Sequence, residues 1–234
     1  MRGRFAPLPI ALLLFLCAGA AAQAPEQIDQ LEPRAGEWQA EYFGTFGPGG
    51  EREHALEAMF GLSGNFALGV ELEGEYSGGR LAFDTLGVKA LYRLTGEASP
   101  VGLGLQVQLA FDERTRLAQS EVRLIAEVES EAWWAQGNFM LRRSRPDGET
   151  AITPAYALSL QHALGNHAWF GLEGSGQLSP LSGDGASGHF IGPSLTVEWQ
   201  AGPGAEIELG LALLRRVGGE GPGTTGRVFV QTTF

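Results

Sequence analysis

The chain has 234 residues, enough for one ordinary domain or at most two, so a single fold must account for nearly all of its apolar content. It carries 16 Lys and Arg against 27 Asp and Glu, a net charge of -11 that repels phosphate backbones and argues against nucleic acid as a partner. The only cysteine, Cys17, lies in an N-terminal apolar run, which leaves no disulfide framework, thiolate zinc site or cysteine nucleophile in the rest of the chain.

Arg2 and Arg4 precede an apolar stretch from Leu8 to Leu16, followed by the small residues Ala18, Gly19, Ala20, Ala21 and Ala22. The stretch is shorter than the roughly 20 residues of a spanning helix and has the layout of a secretory signal peptide. Residues 1–22 are therefore expected to be removed before Gln23, with cleavage two residues later as the alternative. Leu16, immediately before Cys17, is not the small residue that a lipoprotein signal needs. No later apolar run approaches spanning length, so a mature protein embedded in a membrane would cross it as strands. Residues 23–36 read as a short polar periplasmic segment, too short for a plug domain.

The remainder alternates with a period of two. Phe66, Leu68, Val70, Leu72 and Tyr76 face one way, and Ala67, Gly69, Glu71, Glu73, Glu75 and Ser77 the other. The same division separates Leu103, Leu105, Val107, Leu109 and Phe111 from Gly102, Gly104, Gln106, Gln108 and Asp112, and Val122, Leu124 and Val128 from Glu121, Arg123, Glu127 and Glu129. Breaks rich in Gly, Pro, Asp and Ser divide residues 37–234 into twelve strands, at 37–46, 53–62, 66–76, 81–94, 101–111, 118–128, 132–142, 152–164, 167–178, 189–199, 205–216 and 227–234. The fourth needs a bulge before Leu86 to keep Leu81 and Phe83 on the apolar face, and the eleventh is irregular at Leu214. Connections alternate between short turns and mostly longer loops rich in Gly, Ser and Asp, the pattern of an up-and-down antiparallel transmembrane barrel with both ends periplasmic.

A soluble sandwich or lipocalin-like barrel would alternate too, with its apolar side chains inward. Aromatic placement separates the two. Trp38, Tyr92, Trp133, Trp199 and Phe234 fall near one rim of the apolar face and Phe46, Tyr76 and Phe111 near the other, with mostly Leu, Val and Ala between. Amphipathic rings prefer a membrane interface and aliphatic chains its interior. With these features the mature sequence resembles the outer-membrane β-barrel proteins of Gram-negative bacteria, a resemblance that implies outer-membrane lipid and the barrel-assembly machinery as partners. The tail from Arg227 to Phe234 looks like their C-terminal insertion signal, read at Phe234, although Thr232 stands where a larger apolar residue is usual. The strings Gly69 to Gly74 and Leu86 to Leu94 are similar to a transporter family associated with meta-pathway phenol-degradation clusters, which favours small-molecule transport.

On the polar face Glu71, Glu73, Glu75, Glu121, Glu127, Glu129 and Glu173 are expected to line the lumen with Lys89, Arg93, Arg123 and Arg142. Glu37, Glu41, Glu53, Glu57, Glu198, Glu206, Glu208, Arg216 and Arg227 share their parity. Twelve tilted strands enclose a backbone cylinder roughly 24 Å across, of which about half remains once side chains enter. Two readings stay open: an acidic, cation-preferring path for small solutes, or an interior cross-linked by its ion pairs and filled by inward Phe43, Trp134, Trp169, Phe190 and Phe229, in a structural or adhesion role. The longest loop, about ten residues, offers little adhesive surface.

Enzymatic readings are weaker. A lipid hydrolase would need a serine beside an outward histidine, and none stands opposite His162 or His189, while His54 and His167 lie near strand ends. Glu127 and Glu129 lie on one strand face, where wall charges are commoner than an acid/base pair. No metal spacing or cofactor motif is present, and Gly102 and Gly104 read as backbone clearance in a strand rather than a phosphate loop.

Overall fold

Alternation of this kind fixes a strand's two faces but not what each face meets, and the computed structural model supplies the second half. It describes residues 25–32, 34–47, 52–77, 80–96, 98–145, 150–182, 187–202, 204–220 and 223–234. The expected signal peptide, residues 1–22, lies outside the described residues. Twelve strands follow in chain order: β1 (Trp38–Phe46), β2 (Arg52–Ser63), β3 (Phe66–Ser77), β4 (Arg80–Arg93), β5 (Gly102–Asp112), β6 (Leu117–Glu129), β7 (Trp133–Ser144), β8 (Ala151–Ala163), β9 (Ala168–Gln177), β10 (Gly188–Gly202), β11 (Ala205–Gly219) and β12 (Thr224–Thr233). Each pairs antiparallel with its sequence neighbours, and β1 closes on β12 from Gln39↔Thr233 to Phe46↔Gly226, so the sheet is an up-and-down barrel without edges.

The strand faces are sorted inside out relative to a soluble protein. Leu72, Val88, Leu109, Leu172 and Leu213 are exposed on the outer surface, whereas Lys89 (1% exposed), Gln106 (2%), Asn138 (0%) and Thr196 (1%) are buried within. Leaving this much aliphatic surface uncovered around a polar interior is unfavourable in water and favourable in hydrocarbon, which decides against the soluble barrel. Trp38, Tyr92, Trp133, Trp199 and Phe234 all project from the outer face.

Two local irregularities have physical causes. The register of β3 with β4 shifts between Glu73 and Gly74, whose partners are Thr85 and Phe83, so Asp84 is the extra residue of a bulge. That bulge puts Leu81 and Phe83 back on the outer face with Leu86 and Val88. Leu214 breaks the β11 pattern because it points inward, fully buried against Phe190 and Ala212.

Candidate functional site

Among the described residues, the lumen is where the fold collects ionisable side chains in bulk, and its arcs differ. Strands β4 to β7 contribute Lys89, Arg93, Arg123 and Arg142, together with Glu121, Glu127 and Glu129. The adjoining arc of β1 to β3, with β11, contributes Glu41, Glu53, Glu57, Glu71, Glu73, Glu75, Glu206 and Glu208. Lys89 sits where Gly69 of β3 faces it in register, and its ammonium donates to Glu71 at 2.6 Å and to Glu57. Arg123 pairs with Glu121 at 2.8 Å, and Arg142 with the same carboxylate at 2.9 Å. Glu173 of β9 pairs across the interior with Arg227 of β12. Glu73 accepts from the Thr85 hydroxyl at 2.5 Å. Glu75 and Glu129 are exposed at opposite mouths.

Residues 25–32 correct the expected periplasmic tail. They run inside the barrel, with Glu26 toward the rim of the longer loops and Leu31 toward the short turns, and Gly36, at a φ of 83°, lies between this run and the start of β1. The wall binds the segment along its length. Arg142 forks onto Glu26, Nη2 to Oε2 at 2.7 Å and Nη1 to Oε1 at 3.2 Å, and Gln177 donates to Glu26 Oε1 at 2.7 Å. Asp29 Oδ2 receives Arg123 at 2.7 Å and Gln106 at 2.6 Å, with Lys89 at 3.9 Å. On the acidic side Gln27 donates to Glu41 at 2.7 Å and Gln30 to both oxygens of Glu208 at 3.2 Å. The Leu31 N–H donates to Glu127 at 3.0 Å, and the Leu31 carbonyl accepts from Arg93.

Apolar anchors complete the fit. Leu31 is 1% exposed and packs with Met59, Ala67, Leu91 and Ile125, while Ile28 packs on Met140, Ala155 and Ala157. Burying one leucine fully is worth roughly 1.5–3 kcal/mol. The space for Leu31 exists because β5 has glycine at two inward positions: a Cβ at Gly104 would lie 2.3 Å from Leu31 Cδ2, and one at Gly102 2.7 Å from Leu31 Cδ1. The expected backbone clearance at Gly102 and Gly104 is therefore clearance for a side chain of the segment.

The lumen holds water-sized space on both sides of this obstruction. A cavity of about 310 Å³ lies on the loop side among Glu26, Glu53, Glu73, Gln119 and Arg142. On the turn side one of about 900 Å³ touches Leu31, Arg93, Glu127 and Glu129, and one of about 200 Å³ touches Gln30, Glu198, Glu206 and Glu208. Glu32, beyond the segment's last anchor, has its pKa raised by burial, with Glu37 and Glu206 reinforcing and Arg34 opposing.

The histidines lie on or near the outer face, in two cases beside a tyrosine. Tyr42 and His54 Nδ1 are hydrogen-bonded at 2.8 Å, Tyr156 and His189 Nδ1 at 3.1 Å, and His162 packs edge-on against Trp133. His54, His162 and His189 are thus each held by an aromatic neighbour.

No family model matches the chain, and no curated protein matches it. Solved structures do. The NanC porin superposes with a TM-score of 0.57 at 9% identity, over 83% of this chain and 98% of that one. An outer-membrane channel from Pseudomonas putida F1 gives 0.54 at 12% identity, over 90% and 98% of the two chains. The KdgM porin, in complex with disordered oligogalacturonate, gives 0.51 at 11% identity, over 83% and 97%. At these identities the likeness is one of fold, and the fold is that of the porin-like outer-membrane barrels.

Proposed function

We propose that the protein is an outer-membrane channel for small solutes, with an acidic lumen that prefers cations and an N-terminal segment that restricts it. The observation that carries this reading is the inverted sorting of the barrel, an aliphatic outer surface around buried and hydrated charge with cavities at both mouths. A barrel that served only as an anchor has no need of an interior richer in carboxylates than its own cations neutralise. The signal-peptide layout of residues 1–22 supports export, and the strings at Gly69 to Gly74 and Leu86 to Leu94 favour transport within this reading. Wall charges of one sign raise the local concentration of the other, so small cations should pass in preference to anions.

The specific observation that favours the competing structural reading is residues 26–31 themselves, which occupy the middle of the lumen. The reversal potential of the reconstituted protein in a planar bilayer under a salt gradient separates the two. Cation preference is expected, and Glu71, Glu73 and Glu75 replaced together by Gln should reduce it while the barrel stays folded. Assembled protein without conductance would establish the plugged barrel instead, and anion preference would overturn the acidic-lumen reading.

A further inference from the structure

The segment inside the lumen is an occupant whose contacts describe what the wall is built to hold. Its residues alternate in sense across the lumen: the carboxylates of Glu26 and Asp29 lie on the cations of β6 and β7, and the amide donors of Gln27 and Gln30 lie on the carboxylates of β1 and β11. Between them the Asn138 side chain meets both main-chain polar groups of Asp29, accepting from its N–H at 2.7 Å and donating to its carbonyl at 3.0 Å. The N–H and the carbonyl of one residue belong to successive peptide units, so such a side chain reads the main chain of a residue flanked by two peptide bonds rather than a charge. Asn138 is 0% exposed and lies beside Arg123, whose Nη1 reaches its Oδ1 at 3.3 Å, so the peptide reader and the carboxylate reader form one unit.

We propose that the lumen is a transit site for short zwitterionic peptides, which take the places of the Asp29 main-chain groups, the segment's carboxylates and the segment's donors when the segment yields. A carboxylate would sit on Arg123 and Gln106, the main-chain N–H and carbonyl of an interior residue on Asn138, and an ammonium on Glu41 or Glu208. A simple anion satisfies only the first of these and meets the acidic side unfavourably. A simple cation satisfies only the last and leaves the forked donors of Arg123 and Arg142 to their wall partner, Glu121. A solute with both charges and, between them, a residue that has a peptide bond on each side uses all three, as the segment does. The proposal rests on the channel reading above and adds the class of solute.

The experiment compares three solutes of one skeleton: triglycine (zwitterion), N-acetylglycylglycine (anion) and triglycinamide (cation), by tracer exchange into proteoliposomes in mildly acidic buffer with equal salt on both sides. Two full-length proteins are used, the wild type and the double variant Ile28→Asn/Leu31→Asn, which keeps every wall residue but removes the apolar anchors. Triglycine should exchange about fivefold faster than either singly charged solute, the factor of one added net hydrogen bond, and the double variant should raise its rate. Arg123→Gln should abolish the advantage over the cation, and Glu41→Gln with Glu208→Gln the advantage over the anion. Equal rates for all three solutes, or a faster cation, in protein that conducts ions would overturn the peptide assignment and leave the channel intact. Assembled double variant that passes neither ions nor any solute would overturn both.

Discussion

Asn138 closes both hydrogen bonds of the Asp29 main chain, accepting from the N–H at 2.7 Å and donating to the carbonyl at 3.0 Å, across 109 positions of sequence. In a buried setting these two bonds have no water to fall back on, and an unsatisfied buried group costs about 1–3 kcal/mol. Asn138→Leu should therefore release the segment without touching any ion pair. The measurement is single-channel conductance, expected to rise, with the heat-modifiable band on gels reporting an intact barrel. Unchanged conductance would mean that the segment does not limit the path.

A steric test addresses the same segment from β5. Gly104→Val places methyl groups where Leu31 lies, while valine is at home in a strand, so the barrel should assemble and the segment be displaced. Leu31→Ala in the same chain should relieve the clash and return conductance toward the wild-type value. Without that rescue, the effect of Gly104→Val belongs to β5 and not to Leu31.

Glu32 supplies a pH dependence. Its pKa is raised in the docked segment, so the docked state holds the proton more tightly than a freed segment does. The contribution of Glu32 to docking is fully present below the ordinary carboxylate pKa and is lost as pH rises through the raised one. Open probability should therefore increase with pH across that window, and Glu32→Gln should flatten this part of the profile. An increase of the same size in the Glu32→Gln protein would assign the effect to other carboxylates.

Phe234 exchanges both main-chain hydrogen bonds with Trp38, at 2.8 and 2.9 Å, at the seam of the barrel. Deletion removes these bonds and the terminal aromatic ring, whereas Phe234→Ala removes only the ring. If the ring is read by the insertion machinery, both variants should lower the amount of membrane-embedded, heat-modifiable protein. A loss confined to the deletion would attribute it to seam pairing.

Twelve strands were legible in the sequence because lipid outside and water inside impose opposite chemistry on alternate residues, and even the Asp84 bulge followed from that rule. The inward position of Glu71, Glu121, Arg123 and Arg142 followed from the same parity. The segment was not legible from its own residues, since a short polar run with one Ile and one Leu has no period. Its traces lay in the wall. Met59, Leu91 and Ile125 are apolar at inward positions of a polar lumen, and Gly102 and Gly104 leave a gap beside them. Apolar residues facing inward need a partner, and a strand-by-strand reading contains none. The pairing of Asp29 with Asn138 and Arg123 is a tertiary contact that no local pattern encodes.

The seam between β1 and β12 joins the first strand to the last, so the cylinder exists only once the whole chain has been delivered. The segment that occupies the lumen leads directly into β1. A sheet that curls with residues 25–32 already lying on β4 to β7 encloses them without threading, whereas a barrel that closes first must admit a chain end through its mouth. The position of the segment thus makes the order of docking and closure matter to assembly. Refolding from denaturant and delivery by a cell can reach barrels of identical strand pairing that differ in whether the lumen was filled before the seam was sealed.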